Sequence, residues 1–313
     1  MTTPQSQFLG TGSFLPERVR TNADLEAMVD TSDTWIRERT GISERRIADE
    51  SMLASDMAAR AAERAMEAAG VTADELDMIV VGTVTGDMQM PATAVFVQQK
   101  IGATNCPAFD VSAACAGFIY GVQIADAFIR MGTMKRVLVI GVELLSRVID
   151  WSDRTTCVLF GDGAGAAVLG PSDGERGVLS ACIHSDGSLA GSLKIPFGEK
   201  VQMIGRDIFK AAVRNLYSAS QEAVEKSGLA PSDIDWVVPH QANTRIIDQV
   251  VRRAEYPPEK VLSNIATVGN TSSASIPILL DQAVRKGTIK PGDHVLMSAL
   301  GAGVSWGALV LRY

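Results

Sequence analysis

The chain has 313 residues, 46% of them hydrophobic and 21% charged, with a formal net charge of −7 at pH 7. That balance belongs to a globular protein with a core large enough to need no disulfide or metal staple, and it excludes a disordered chain. The acidic excess argues against a general affinity for nucleic acid or an anionic membrane. The opening, MTTPQSQFLGTGSF, has no basic stretch followed by an apolar one, so no secretory leader is expected. Residues 54–69 are Ala-rich and amphipathic and predict a helix stopped by Gly70. Asp74 to Gly82 then ends in a short apolar run of strand type. Pro107 to Ser112 reads as a strand that passes through Ala113 and Ala114 into a helix apolar nearly all round, opening at Cys115. Gly117, Gln123 and Asp126 break that run, and no uninterrupted stretch of eighteen apolar residues predicts a membrane span. Residues 135–141 and 164–169 read as further buried strands, and the alternation of helix and strand signals predicts an α/β protein.

A repeat runs through these elements. The segment AMEAAGVTADELDMIVVGT returns as AVEKSGLAPSDIDWVVPHQ, with Asp77 and Asp235 in the same place, 158 positions apart. Val137 in KRVLVIG aligns with Val295 in GDHVLMS at the same shift, which also sets Ser112 opposite Asn270. Two related halves are expected, residues 1–174 and 175–313, joined through the turn-rich Gly170-Pro-Ser-Asp-Gly-Glu-Arg-Gly. A cleft is expected where the halves meet.

Three residues near segment ends can serve acyl chemistry there. Cys115 stands at a helix N-terminus, whose positive end favours a thiolate, among small residues that leave room for a carbonyl. His240 follows the second-half strand, and Asn270 sits in a Gly-led loop opening another helix. One group would carry an acyl carbon while two donate hydrogen bonds to a developing oxyanion. Each has a plainer reading as well: a buried structural cysteine, a satisfied histidine and a helix N-cap. The four cysteines, Cys106, Cys115, Cys157 and Cys182, show no metal-ligand spacing, so no metal is expected and a cytoplasmic location fits the scattered thiols. Gly161-Asp-Gly-Ala-Gly165 precedes a strand rather than a helix, and is read as a structural turn instead of a dinucleotide loop. His184 and His294 lie in turn sequences and are read as non-catalytic.

The stretches Phe109-Asp-Val-Ser-Ala-Ala-Cys-Ala-Gly-Phe, Phe160-Gly-Asp-Gly-Ala-Gly-Ala, His240-Gln-Ala-Asn and Gly269-Asn-Thr-Ser-Ser-Ala-Ser, with Gly10-Thr-Gly-Ser-Phe-Leu-Pro and Thr31-Ser-Asp-Thr-Trp-Ile, occur in the order seen in β-ketoacyl-[acyl carrier protein] synthase III. The chain resembles that family from about residue 8 to its end. The resemblance implies the thiolase fold, two βαβαβαββ halves in a five-layer αβαβα stack, and a homodimer. It implies that Cys115 takes an acyl group from a short acyl-CoA, acetyl-CoA first among them. His240 and Asn270 would then support decarboxylation of malonyl-acyl carrier protein, whose enolate attacks the acyl-enzyme. The backbone of Cys115, Ala302 and Gly303 would form the oxyanion hole, and a positive φ at Ala302 would strain it. Thr31, Trp35, Arg39, Arg154, Gly205, Phe209 and Asn243 fall at CoA-contacting positions, with Trp35 and Arg154 sandwiching the adenine. Acyl-CoA enters as substrate, and no separate cofactor is implied.

The chain departs from the family pattern at Ser43 and Arg206, near the phosphate contacts, and in residues 187–201, which are short beside many relatives. Met90 stands where relatives place an aromatic residue reaching into the partner's acyl pocket, and a flexible Met could admit a longer or branched group. Lys210, Arg214, Arg245, Arg252 and Arg253 form a basic set; Lys210, Arg245 and Arg252 are read as docking an acidic carrier protein, against a solvated helix face as the plain alternative. Rival functions are a same-fold enzyme priming a polyketide or alkylquinolone pathway, a Cys–His–Asn hydrolase, and a non-catalytic scaffold.

Overall fold

The computed structural model of the chain describes residues 6–313. The reading of the N-terminus as leaderless falls in part on residues 1–5, which lie outside the described residues. Strands β1 (Ser6–Phe14), β2 (Met78–Gly82), β3 (Ala108–Val111), β4 (Val137–Leu144) and β5 (Asp162–Pro171) form one sheet in the order β1-β5-β4-β2-β3. Strands β6 (Gly177–Ser185), β7 (Trp236–Pro239), β8 (His294–Gly301) and β9 (Ser305–Arg312) form a second in the order β7-β8-β9-β6. The connection between the sheets is the short turn of residues 172–176.

The two sheets share one plan. In the first, β2 and β4 are parallel and β5 runs antiparallel to both β4 and β1. In the second, β7 and β8 are parallel and β9 runs antiparallel to both β8 and β6. Even the register repeats: Met78 faces Val137, and Trp236 faces Val295, each partner displaced by 158 positions (78 to 236, 137 to 295). The counterpart of β3 is reduced to a single parallel bridge between Val237 and Val261.

Helices α1 (Asp33–Thr40), α2 (Ala54–Ala69), α3 (Thr93–Ile101), α4 (Gly117–Arg130), α5 (Gly205–Ser227), α6 (Thr244–Ala254) and α7 (Ser275–Arg285) complete the layers. α2 and α3 cover the outer face of the first sheet, α4 and α7 lie between the sheets, and α5, with α6 against it, covers the outer face of the second. The helix predicted over 54–69 has those bounds, and Gly70 ends it at φ 63°. Its Ala-rich buried face, Ala54, Ala58, Ala61, Ala62 and Ala65, presents little more than backbone to the sheet and so packs close. α4 is apolar nearly all round because it is sandwiched between sheets, with Phe118, Ile119, Val122 and Ala125 buried. Among the described residues no helix is long and apolar enough to cross a membrane.

Both central helices are entered through a single 3₁₀ turn, Ala114–Ala116 before α4 and Ser272–Ala274 before α7. The two turns are again 158 positions apart and lie in contact. Each opens on a non-glycine residue in the left-handed region, Ala114 at φ 45° and Ser272 at φ 50°. Such conformations are uncommon for side-chain-bearing residues and are held only where surrounding structure over-determines them. The helix expected to begin at Cys115 therefore begins two residues later, at Gly117, and Cys115 occupies the turn. Gly141 of β4 lets the second turn approach that strand: a Cβ there would sit 2.2 Å from the Ser273 carbonyl oxygen and 2.6 Å from its carbon. Backbone cannot yield as a side chain can. Gly141→Ala is expected to destabilise the protein by about 3 kcal/mol, the upper end for overpacking, read as a lowered urea midpoint with the slope of the transition unchanged.

Candidate active site

Cys115 lies where two cavities meet. One, of about 450 Å³, is lined by Trp35, Arg39, Cys115, Phe160, Gly205, Phe209, His240, Asn243, Arg245 and Asn270, among others. The other, of about 810 Å³, runs from Cys115 past Leu145, Phe160, Ala302 and Gly303 to the segment 193–201. The structure thus brings Cys115, His240 and Asn270 to one cavity, from a turn, a strand end and a loop on different elements. Gly301, the last residue of β8, packs directly on the cysteine turn; a Cβ on it would lie 2.6 Å from the Cys115 amide nitrogen. That contact sets Ala302 and Gly303 beside the sulfur. The left-handed conformation in this loop falls on Gly303, at φ 127°, and Ala302 is free of the strain its position raised.

The electrostatics follow from burial. Cys115 is 9% exposed. Burial pushes its thiol up to about 12, Glu143 adds to that rise, and a hydrogen bond with the Ser272 side chain opposes it. The sequence reading, in which the helix end favours a thiolate, is corrected here: desolvation outweighs the helix end in the resting protein, and the thiol keeps its proton. His240 is equally buried, which pulls its pKa down to about 3 and leaves the ring neutral at physiological pH. Its Nδ1 lies 2.6 Å from Ser275 Oγ at the start of α7, so Nε2 is the nitrogen left for the cavity. Asn270 is held at both levels. Its backbone bridges Leu159 and Gly161, at 2.9 and 3.0 Å, and its side-chain Oδ1 accepts the Ser272 N–H at 2.8 Å. With the oxygen committed, the carboxamide N–H₂ is the free end.

Of the residues expected at CoA positions, Trp35, Arg39, Gly205, Phe209 and Asn243 line the smaller cavity, and Thr31 and Arg154 do not. Arg154 lies over the Trp35 ring at 5.1 Å and donates to the Asp30 carbonyl at 2.6 Å, so the pair expected to hold a base between them is closed on itself. The Thr31 hydroxyl is buried without a hydrogen-bond partner among the described residues. Asn243 does two structural jobs: it caps α6 by accepting the Arg245 N–H at 2.8 Å, and it donates to the Arg39 carbonyl at 2.9 Å. Ser43 donates its backbone N–H to the Ala266 carbonyl, and Arg206 is exposed at the start of α5.

The basic set divides. Arg245 stands at the cavity rim, over Phe209 at 5.8 Å; Arg252 is exposed two helical turns further along α6, and Lys210 is exposed beside Phe209. Arg253 instead lies over Tyr217 at 4.4 Å, and Arg214 donates to Asn215 at 3.0 Å, which gives both a local structural partner. Met90 is 82% exposed in the loop between β2 and α3 and lines neither cavity of its own chain.

Of Gly161-Asp-Gly-Ala-Gly165, read as a structural turn before a strand, only Gly161 precedes β5; the other four are ladder residues, and Asp162 among them accepts from the Ala48 and Ser146 amides and the Ser146 hydroxyl. His294 Nδ1 bonds the Asp233 carbonyl at 3.0 Å. Cys182, His184 and Glu222 bring their polar atoms within 4.8 Å of one another, a grouping their spacing conceals. The carboxylate there is engaged by His184 and by Lys226, each at 2.7 Å. All four cysteines are buried and unpaired. Three polar residues at the site were not singled out from the sequence: Glu143, Ser272 and Ser275. A signal existed for the first, since Glu143 is the one charged residue in the apolar strand VLVIGVEL.

The family description 3-oxoacyl-[acyl-carrier-protein] synthase III matches residues 109–187, and its C-terminal counterpart matches residues 224–313. The chain is 50% identical to a β-ketoacyl-[acyl-carrier-protein] synthase III of Xanthomonas campestris pv. campestris, over 98% of each. The crystal structure of 3-oxoacyl-[acyl-carrier-protein] synthase III from Aquifex aeolicus superposes with a TM-score of 0.96 at 48% identity, covering 98% of this chain and 100% of that one. The priming β-ketosynthase of a polyketide biosynthetic pathway superposes with a TM-score of 0.93 at 39% identity, covering 99% and 96%. The five-layer arrangement is the thiolase fold of these enzymes.

The buried neutral imidazole has a measurable consequence. Unfolding would return His240 to its ordinary pKa of 6.5 from about 3, so the unfolded chain binds the extra proton, and this contribution to stability is present above pH 6.5 and lost as pH falls. Glu143, raised to about 6, acts in the opposite sense over its own range, so the contribution is best read as a difference between proteins. The stability gap between the wild type and His240→Gln is expected to shrink steadily from pH 7 to pH 4 in urea titrations. A constant gap would show that the native ring takes up its proton over the same pH range as in the unfolded chain.

Proposed function

The chain belongs to the β-ketoacyl-[acyl-carrier-protein] synthase III family of condensing acyltransferases, and from that premise we propose how its own residues divide the work. Acyl-CoA enters the smaller cavity as a substrate, with no separate cofactor. Cys115 attacks its thioester carbonyl, and the acyl group turns into the larger cavity that also borders the sulfur. CoA leaves by the way it entered, and malonyl-acyl carrier protein takes its place. With the Ser275 hydroxyl donating to Nδ1, His240 carries its proton on Nε2 and, with the Asn270 N–H₂, hydrogen-bonds the malonyl thioester oxygen. Loss of CO₂ then leaves an enolate held by two aimed donors rather than by water. Its carbon attacks the acyl carbonyl, whose developing oxyanion is received by backbone N–H groups at Cys115 and the Ala302–Gly303 loop. Each such donor contributes about 3 kcal/mol to the transition state.

The observation that carries this reading is the position of one buried thiol between two cavities, with a neutral imidazole and an oriented carboxamide on the entry side. For CoA to bind as the family pattern implies, Arg154 must lift off Trp35 to admit the adenine ring. A homodimer is supported by the exposed Met88 and Met90 and by β3, an edge strand with a free side. The cytoplasm is the compartment where four unpaired thiols stay reduced.

The acyl group proposed is a short one, acetyl first, initiating fatty acid synthesis. The size of the larger cavity, about 810 Å³, favours as a second reading the priming of a polyketide-type pathway with a longer or branched acyl group. Incubation with a panel of acyl-CoAs, followed by the mass added to the protein, separates them. Acetyl or another short acyl mass on Cys115, absent from Cys115→Ala, is the expected result; exclusive loading by an aromatic or long chain would replace the first reading with the second.

Arg245 at the rim and Arg252 beyond it would meet the acidic carrier protein. Arg245→Glu with Arg252→Glu is expected to raise the KM for malonyl-acyl carrier protein tenfold or more, on the order of 1.4 kcal/mol, while acyl loading from CoA stays at the wild-type rate. Equal loss of both activities would remove the docking assignment.

A further inference from the structure

A second group of donors lies away from the active site, on the outer face of the second sheet. Cys182 and His184 are two residues apart on β6, the edge strand, so their side chains leave the same face of the pleat. That face is turned to α5: the Cys182 thiol donates to the Ala219 carbonyl of the helix at 3.5 Å, and Glu222 stands about one turn further along it. One sulfur, one ring nitrogen and one carboxylate oxygen of these three residues lie within 4.8 Å of one another. None of the three lines either cavity at Cys115.

The surroundings hold these donors in place. Trp306 of the neighbouring strand β9 stacks on the His184 ring, with centroids 5.6 Å and planes 28° apart, and sets its orientation. The Tyr120 hydroxyl, from α4, donates to the His184 carbonyl at 2.8 Å. Lys226, one turn along α5, takes Glu222 Oε1 at 2.7 Å, so Oε2 is the oxygen turned toward His184. The sulfur is buried while His184 and Glu222 are partly exposed, which gives an ion a path from water to the thiol.

We propose that Cys182, His184 and Glu222 bind a zinc ion, with water in the fourth position. Thiolate, imidazole and carboxylate are the ligand types that zinc takes, and the sulfur disfavours magnesium and calcium, which take oxygen. Zinc–ligand bonds of about 2.0 to 2.3 Å set the ligand atoms about 3.3 to 3.6 Å apart in a tetrahedron. His184 Nε2 and Glu222 Oε2, now 2.7 Å apart, must part by about half an ångström, which rotation of two partly exposed side chains supplies. The charges also balance. Thiolate and carboxylate cancel those of the ion, and Lys226, with a side chain 56% exposed, keeps its own charge in water. The plain alternative, an ion-pair chain of His184, Glu222 and Lys226, leaves the sulfur without a part.

Binding needs no oxidant or reductant. Bonds form from zinc to sulfur, nitrogen and oxygen, the ion sheds waters, and the thiol proton goes to solvent because the thiolate is the ligand. The imidazole coordinates through one nitrogen and keeps its hydrogen on the other. The hydrogen bond from Cys182 to the Ala219 carbonyl is exchanged for the bond to the ion. An ion so held ties the edge strand β6 to α5, beside the bond from the Ser180 hydroxyl to the Ala223 carbonyl that already joins them at 2.6 Å. Its work is to brace the second half, and it does not depend on the chemistry assigned to Cys115.

The test is titration of the metal-free protein with cobalt(II), which occupies zinc sites and reports its ligands by absorption. Wild type should bind one equivalent with a thiolate-to-cobalt charge-transfer band and the intense visible bands of a four-coordinate ion, and zinc should displace it. Cys182→Ala should lose the charge-transfer band, while Cys106→Ala, Cys115→Ala and Cys157→Ala keep it. His184→Ala and Glu222→Gln should each weaken binding at least about tenfold. Zinc should raise the Tm of wild type and leave that of Cys182→Ala where it was. Acyl loading by Cys182→Ala should proceed at the wild-type rate, which keeps this site separate from the nucleophile. Absence of the charge-transfer band in wild type, its survival in Cys182→Ala, or undiminished binding by His184→Ala would overturn the site. Should Cys182→Ala fail to fold, His184→Ala and Glu222→Gln decide the matter from partly exposed positions.

Discussion

The contact between the turns Ala114–Ala116 and Ser272–Ala274 is the constraint on which the rest of the structure depends. Each turn ends a crossing from sheet to central helix, and each is bent by a side-chain-bearing residue in the left-handed region. Neither conformation is favourable alone. Together they are held by a carboxylate from β4, which binds Ser272 and Ser273, and by a glycine on the same strand that lets the second turn approach. The first turn carries the sulfur. Ser272 of the second turn fixes the Asn270 oxygen through its N–H, and the helix after it begins with Ser275, which holds the histidine. One backbone arrangement therefore aims three side chains from distant parts of the chain.

Burial is what makes that arrangement chemically specific. The same desolvation keeps the thiol protonated, the imidazole neutral and the Glu143 carboxyl less acidic than usual. In water a histidine and a cysteine so placed would share protons freely across neutral pH. Here the ring is confined to hydrogen-bond donation, which suits a group that must stabilise an enolate oxygen without protonating its carbon. The polar groups at the centre are satisfied mainly by hydroxyls and backbone amides rather than by ions, so nothing at the site demands bulk solvent.

Much of this was legible in the sequence because it is periodic. The 158-residue shift predicted two equivalent units, and the structure keeps that shift in strand register and in the turns before both central helices. The α2 bounds and Gly70 stop followed from composition and one glycine. What could not be read was anything set by depth. Cys115 looked like a helix-end thiolate because sequence shows the helix and not the desolvation around it. Asn243 was read as a ligand contact and does line the smaller cavity, but the sequence did not show that its carboxamide also caps a helix and ties Arg39. Ser272 and Ser275 were hidden among ordinary cap residues, since only the folded turn tells a buried hydroxyl aimed at Glu143 or His240 from one facing water. Glu143 could have been suspected, because a lone acid within VLVIGVEL must either find partners or break the strand.

Two cavities meeting at one sulfur also order the reaction. If both thioesters approach through the smaller cavity, past Trp35 and Phe209, they cannot be bound there together, and the first carrier must depart before the second arrives. That exchange is productive only if the acyl group is stored out of the way. In the proposed order the larger cavity, which runs from Cys115 toward residues 193–201, would supply the storage. The covalent bond to sulfur then keeps the acyl group in place while the entrance is empty. A thiol that stays protonated until a thioester reaches it fits the same order, because a permanent thiolate would be open to oxidation or alkylation during each exchange.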